Sequence, residues 1–196
     1  MRVFIAIDLP EGVRGALDRV QAGLRTACAH SEYIRWTRAE GIHLTLKFLG
    51  EISADQVHAV TAALRRIGPF ETFPAEVKGF GFFPDARHPR VLWAGIDAPS
   101  ALRELAERVD AALVKLDFPP EQRAFRPHLT LARFRAQRPE PALEAALEKV
   151  SSTSLGSFDV TEYFLFQSRL RPSGAEYNKL TCFPASGDGS ARRSAP

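Results

Sequence analysis

The chain has 196 residues and a mass of 21.7 kDa, room for one ordinary domain or for two small lobes fused into one unit. With 45% hydrophobic and 25% charged residues it has the apolar material for a real core, so folding requires neither metal nor disulfide. A net charge of +3 is too mild to mark a nucleic-acid binder, and no apolar run approaches the ~18–20 residues of a membrane span.

The N-terminal run 2–8 reads as the first strand, because it mixes β-branched and aromatic residues and is too short for a secretory leader. Val13, Leu17, Val20 and Leu24 recur at helical spacing, with Pro10 placed for a first turn. A strand is expected over 43–49. Ser53-Ala54-Asp55-Gln56 then resembles a capping box and precedes Val57, Val60, Leu64 and Ile67. Strands are expected over 72–80 and 90–97. A third helix follows on Leu102, Leu105, Val109, Leu113 and Leu116. The run 128–134 reads as a strand, Leu143, Leu147 and Val150 as a short fourth helix, and 157–167 and 177–183 as closing strands. Residues 185–196 lack an apolar pattern and read as a disordered tail. Two cysteines, Cys28 and Cys182, cannot make a disulfide framework, and neither sits in a CxxC pair, which excludes metal and thioredoxin-like readings; a reducing, cytoplasmic setting is the simplest inference.

An internal repeat organises the chain. Ala6-Ile7-Asp8-Leu9-Pro10 leads into the first helix, and Gly95-Ile96-Asp97-Ala98-Pro99 into the third. His43-Leu44-Thr45-Leu46 follows the first and His128-Leu129-Thr130-Leu131 the second. An identical tetrapeptide in the same frame implies an α+β fold of two pseudo-symmetric lobes, each an antiparallel sheet backed by helices. The two tetrapeptide strands then meet at a central cleft. Residues 1–184 form one bilobal unit on this reading, with repeats of about 1–90 and 91–184 and strands free to exchange between lobes.

Alternation along a strand places His43 and Thr45 on one face and Leu44 and Leu46 on the other; the same holds for His128 and Thr130. Two such faces on one cleft present two imidazoles and two hydroxyls. Histidine titrates near neutrality, so one ring can serve as base while its mate serves as acid. In-line displacement at phosphorus needs that division of labour, with hydroxyls and arginines on the non-bridging oxygens. Neither histidine has a second ligand at zinc spacing, so neither metal nor cofactor is expected. His30, His58 and His88 lack this frame and read as surface residues.

These motifs closely resemble the two-histidine (2H) phosphoesterase superfamily, and within it the RNA 2′,3′-cyclic phosphodiesterases also called 2′-5′ RNA ligases. The likeness extends to the opening Arg2–Pro10 segment, Trp36-Thr37, Lys47-Phe48-Leu49-Gly50-Glu51, Phe80-Gly81-Phe82-Phe83-Pro84, Pro127, Ala132-Arg133 and Tyr177-Asn178-Lys179-Leu180. The resemblance implies that His43 is the general acid for the departing 3′-oxygen and His128 the general base for water. Thr45 and Thr130 then hold the phosphoryl oxygens. The implied product is an RNA 2′-phosphate, and the reverse reaction gives a 2′-5′ linkage. The implied partners are RNA ends or nucleotides bearing a 2′,3′-cyclic phosphate, with no membrane and no obligate protein partner, the protein acting as a monomer.

Arg133 matches a family position proposed to contact phosphate. Strict alternation turns it to the apolar face, so it serves only if the strand ends or bulges near Ala132. Arg126, just before Pro127, is expected extended near the cleft mouth. By parity Lys47 shares the His43 face. Trp36, Phe48 and Tyr177 are candidates to line the cleft or stack on a base, with core packing the favoured reading of each. Arg123, Arg126, Arg133, Arg135 and Arg138 offer a surface for an RNA backbone, or simply a solvated loop. Two other functions stay open: a cyclic phosphodiesterase for small nucleotides or 2′-5′ oligoadenylates, and a non-catalytic RNA-binding module.

Overall fold

The computed structural model describes residues 1–171 and 174–186. In chain order the elements are β1 (Arg2–Ile7), α1 (Glu11–Ala27), β2 (Ile34–Trp36), a single 3-10 turn (Ala39–Gly41), β3 (Leu44–Glu51), α2 (Ala54–Arg66), β4 (Phe73–Phe83), β5 (Val91–Asp97), α3 (Ser100–Val114), β6 (His128–Phe134), α4 (Pro141–Val150), β7 (Ser154–Val160), β8 (Glu162–Arg171) and β9 (Gly174–Pro184). The helices form for the reasons the sequence suggested. Pro10 and Pro99 sit extended at the N-caps of α1 and α3, where a missing N–H costs nothing. Ser53 and Gln56 make the reciprocal capping box of α2, with bonds of 3.1 and 2.9 Å.

The strands make two antiparallel sheets, ordered β3-β1-β8-β9 and β2-β6-β5-β4-β7. The β3-β1 pair of the first half has its counterpart in the β6-β5 pair of the second, so the tetrapeptide strands hold equivalent places. The strand that follows each of these pairs comes from the other half: β8 lies beside β1, and β4 beside β5. Helices are shared as well, α1 packing on α4 and α2 on α3. Val3, Ile5 and Ile7 of β1 face a single core with Leu17, Leu44, Leu105 and Leu129. The opposite face of the same sheet carries a second, aromatic cluster of Phe4, Ala6, Phe164 and Phe166, with Tyr177 against it. Among the described residues no helix is long and apolar enough to cross a membrane.

Three expectations change. The run 157–167 is two strands in different sheets, because Phe158 and Val160 pair with β4 while the residues from Glu162 onward pair with β9. β2 was not foreseen, since three residues show no periodicity. The expected tail begins too early: Ala185 is buried, its N–H donates to the Thr161 carbonyl, and the Ser186 N–H donates to Phe70. Residues 187–196 of that expected tail lie outside the described residues.

Candidate active site

Each tetrapeptide strand carries a β-bulge at the same place. On β3, Ala6 pairs with Thr45 and Ile5 with Lys47, leaving Leu46 as an extra residue. On β6, Trp93 pairs with Thr130 and Leu92 with Ala132, leaving Leu131 extra. An extra residue reverses the alternation beyond it. Lys47 and Ala132 therefore turn away from the cleft and are buried, while Phe48 and Arg133 turn to the side of the threonines and are exposed.

This bulge meets the condition set for Arg133 and overturns the parity expected of Lys47. The Lys47 ammonium ion-pairs with Asp110 of α3 and donates to the Pro119 carbonyl at 2.8 Å, on the far side of the sheet. It also overturns core packing for Phe48, whose ring is 68% exposed. The bulge carbonyl of Leu131 is held from behind by α1. Buried Gln21 donates its side-chain amide to Leu131 and to Thr37, both at 2.9 Å.

A cleft of about 460 Å³ opens between the sheets. His43, just ahead of β3, lines it with Thr45 and Phe48 of β3, and Thr130 and Arg133 from β6. Tyr177 borders it too, contrary to the core reading. Both repeated threonines thus share one cavity. His128 is not on that wall. It lies half-buried at the start of β6, on the face of Thr130, with its ring edge-on to Phe83 at 4.9 Å. Trp36 packs against the core under the Arg25 guanidinium. Arg126 is exposed and off the wall. His30, His58 and His88 are all exposed.

Both imidazoles are oriented alike. The Nδ1 of His43 faces the Gly41 carbonyl at 3.2 Å, and that of His128 faces the Arg126 carbonyl at 2.7 Å. A carbonyl only accepts, so each Nδ1 carries the hydrogen and each Nε2 is left for proton transfer. The contribution of Arg126 here is its main chain.

The surroundings of the two rings differ. His43 is packed among Phe4, Phe166 and Tyr177, with centroids 5.7, 4.6 and 5.1 Å away. Its Nε2 lies 3.8 Å from the Asp8 carboxylate. Asp8 pairs with Arg14 and accepts from Lys179 at 2.6 Å. Burial pushes His43 down to about 4; Asp8 pulls it up and Arg14 pushes it further down. Burial also works against the Asp8 charge, but the Lys179 hydrogen bond and the Arg14 charge outweigh it and hold that carboxyl below its ordinary value. The His43 ring of the free protein is therefore neutral at pH 7. The repeat had marked Asp8 without suggesting this contact; its counterpart Asp97 pairs with Lys78 at 2.8 Å instead. Among the described residues no three His, Cys, Asp or Glu side chains are grouped as a metal site requires.

The model of the LigT-like phosphoesterases matches residues 7–93 and again 96–177, one match for each half. The chain belongs to that family. LigT-like relatives include the RNA 2′,3′-cyclic phosphodiesterase of Methanothermobacter thermautotrophicus, 32% identical over 93% of this chain and 98% of its own. The enzyme of that name from Thermus thermophilus is 33% identical over 96% of this chain and 92% of its own. Among solved structures, Escherichia coli LigT complexed with 3′-AMP superposes with a TM-score of 0.74, at 28% identity over 94% of this chain and 98% of its own. The fold and the superfamily expected from the paired motifs are those of these proteins.

Proposed function

We propose that this chain hydrolyses 2′,3′-cyclic phosphate ends of RNA to 2′-phosphomonoesters, with His43 and His128 as acid and base. The observation that carries this reading is the meeting of both repeated threonines in one cleft, each next to a histidine whose Nδ1 is fixed and whose Nε2 is left for proton transfer. The names of the curated relatives support the same reaction.

In this mechanism the Thr45 and Thr130 hydroxyls donate to the non-bridging phosphoryl oxygens, and the Arg133 guanidinium balances their charge. His128 Nε2 takes a proton from water as the water oxygen bonds to phosphorus. The bond from phosphorus to O3′ breaks, and O3′ takes the proton from His43 Nε2. The products are a 2′-phosphate and a 3′-hydroxyl, with His128 protonated and His43 neutral until solvent resets them. In reverse, a 5′-hydroxyl replaces water and the roles exchange, which gives a 2′-5′ linkage.

His43 must hold a proton for this, and the substrate supplies the reason. A phosphodiester anion about 4 Å from the ring, at an effective dielectric near 20, favours the imidazolium by about 4 kcal/mol. That is about three pKa units, enough to lift a value of about 4 to near neutrality. The acid is thus charged by the group it serves.

Cys28 is buried and Cys182 exposed, with the Cys182 thiol donating to the Glu162 carboxylate at 3.0 Å. Two thiols so placed suit a reducing compartment, and the protein is assigned to the cytoplasm, acting as a monomer. The test is end analysis of a 2′,3′-cyclic-ended oligonucleotide after incubation with purified protein in chelator. A 2′-phosphate supports the reading, a 3′-phosphate reverses which oxygen departs, and turnover confined to mononucleotides assigns the site to small cyclic nucleotides.

A further inference from the structure

The cleft is lopsided. Besides His43, Thr45 and Phe48, its wall continues along the four-stranded sheet through Phe4 and Gly50 to Arg2, with Ser168 of β8 beside it. We propose that Arg2 forms a second phosphate subsite, which binds an internucleotide phosphate upstream of the cyclic end and makes oligonucleotides better substrates than mononucleotides. This proposal rests on the reading above, in which the reacting phosphate sits between Thr45 and Thr130.

Three observations carry it. The first is reach. Arg2, Phe4 and Ala6 share the cleft face of β1, and Ala6 is the partner of Thr45. From Ala6 to Arg2 the strand advances about 13 Å, at about 3.3 Å per residue. The cleft therefore extends well beyond the reacting group.

The second is the lining. Phe48 stands between the threonine end and the arginine end, its ring 68% exposed and tilted against Phe4 at a centroid distance of 5.9 Å. An exposed flat ring beside a polar cleft suits a nucleobase, and stacking accepts any base. The third is charge. Glu51 lies opposite Arg2 on β3 but approaches the Met1 ammonium, at 3.4 Å. No acidic side chain pairs with the Arg2 guanidinium among the described residues, so its fork is available to phosphate oxygens.

The direction of the reaction agrees. The acid stands on the side of the departing 3′-oxygen, so the ribose lies on the His43 side of phosphorus. The RNA 5′ of that ribose then follows the arm that leads past Phe48 to Arg2. Water enters from the half-exposed His128 side.

The experiment compares kcat/KM for a 2′,3′-cyclic-ended trinucleotide and a 2′,3′-cyclic mononucleotide, in wild type, Arg2→Gln and Arg2→Lys. The trinucleotide-to-mononucleotide ratio falls about tenfold in Arg2→Gln, with partial recovery in Arg2→Lys. The salt dependence of the trinucleotide rate also loses about 0.7 in log–log slope, one single-strand phosphate contact. An unchanged ratio in Arg2→Gln, or equal losses on both substrates, overturns the subsite. A second arm measures anisotropy of a labelled trinucleotide ending in a 2′-phosphate against the same-ended mononucleotide, which needs no turnover. Tighter trinucleotide binding that Arg2→Gln weakens about tenfold supports the subsite even if neither cyclic substrate is hydrolysed, a result that sinks only the proposed reaction. Equal binding of the two by wild type overturns it.

Discussion

Replacing His43 with asparagine removes a ring that the fold keeps neutral, and the consequence is a change in how stability depends on pH. The folded pKa is about 4, against 6.5 for an unhindered imidazole. Between those values the unfolded chain binds a proton that the folded chain refuses, so wild-type stability falls as pH drops through that window and is full above it. At about 1.4 kcal/mol per pKa unit, the loss between pH 7 and pH 4 is about 3 kcal/mol. The ring is only 8% exposed, so solvent screening takes little from this figure. The amide introduced by His43→Asn has nothing to titrate, and the other groups of the protein, including Asp8, are common to both chains. Urea unfolding at pH 7, 6, 5 and 4.5 therefore shows wild type and variant converging as the solution is acidified, with wild type losing about 2–3 kcal/mol more, on the order of the shift itself. Parallel curves across this range refute the claim that burial among Phe4, Phe166 and Tyr177 disfavours the charged ring.

Three further outcomes follow from the same structure. The alkaline limb of kcat, where the general acid of the bound state gives up its proton, lies at higher pH than a free ring at about 4 allows, because the phosphate anion holds the His43 proton; a kcat that already falls as pH rises through 4 counts against the charging of the acid by its substrate. Gln21→Leu leaves the half-buried Thr37 carbonyl without its side-chain donor and loosens the hold on the Leu131 bulge, costing about 1–3 kcal/mol in urea unfolding and lowering turnover through Arg133. Gly81→Ala drives a methyl into the Trp93 ring, which backs the Phe83 that packs on His128. That overpacking costs about 1–3 kcal/mol, and a midpoint within error of wild type means the ring shifts freely.

The duplication was legible because His-Leu-Thr-Leu recurs unaltered after the same order of strand, Asp-x-Pro and helix, and that was enough to anticipate two sheets and a shared cleft holding Thr45 and Thr130. Period-two alternation then misassigned Lys47 and Phe48, since one extra residue at Leu46 exchanges the faces beyond it and leaves no trace in hydrophobicity. The same device at Leu131 brings Arg133 into the cleft, so a bulge inferred on one strand would have corrected the other. The run 157–167 concealed a change of sheet because both of its halves are β-formers and Thr161 breaks nothing locally. The Asp8, Arg14 and Lys179 cluster around His43 joins residues from both ends of the chain, and only the folded topology, with β9 on the same sheet as β1, brings them together. The asymmetry between a buried His43 and a half-exposed His128 was equally hidden, because the tetrapeptides are identical and their neighbours are not.

The central claim is that two imidazoles, one from each repeat, act as one proton-transfer pair. Single-turnover rates on a 2′,3′-cyclic-ended RNA, in chelator, for wild type, His43→Ala, His128→Ala and the double variant test it most directly. Each single change lowers the rate at least ~10²-fold, and the double variant is scarcely slower than the worse single one, because a pair that works as a unit is lost with either member. A single variant that turns over at the wild-type rate contradicts the account.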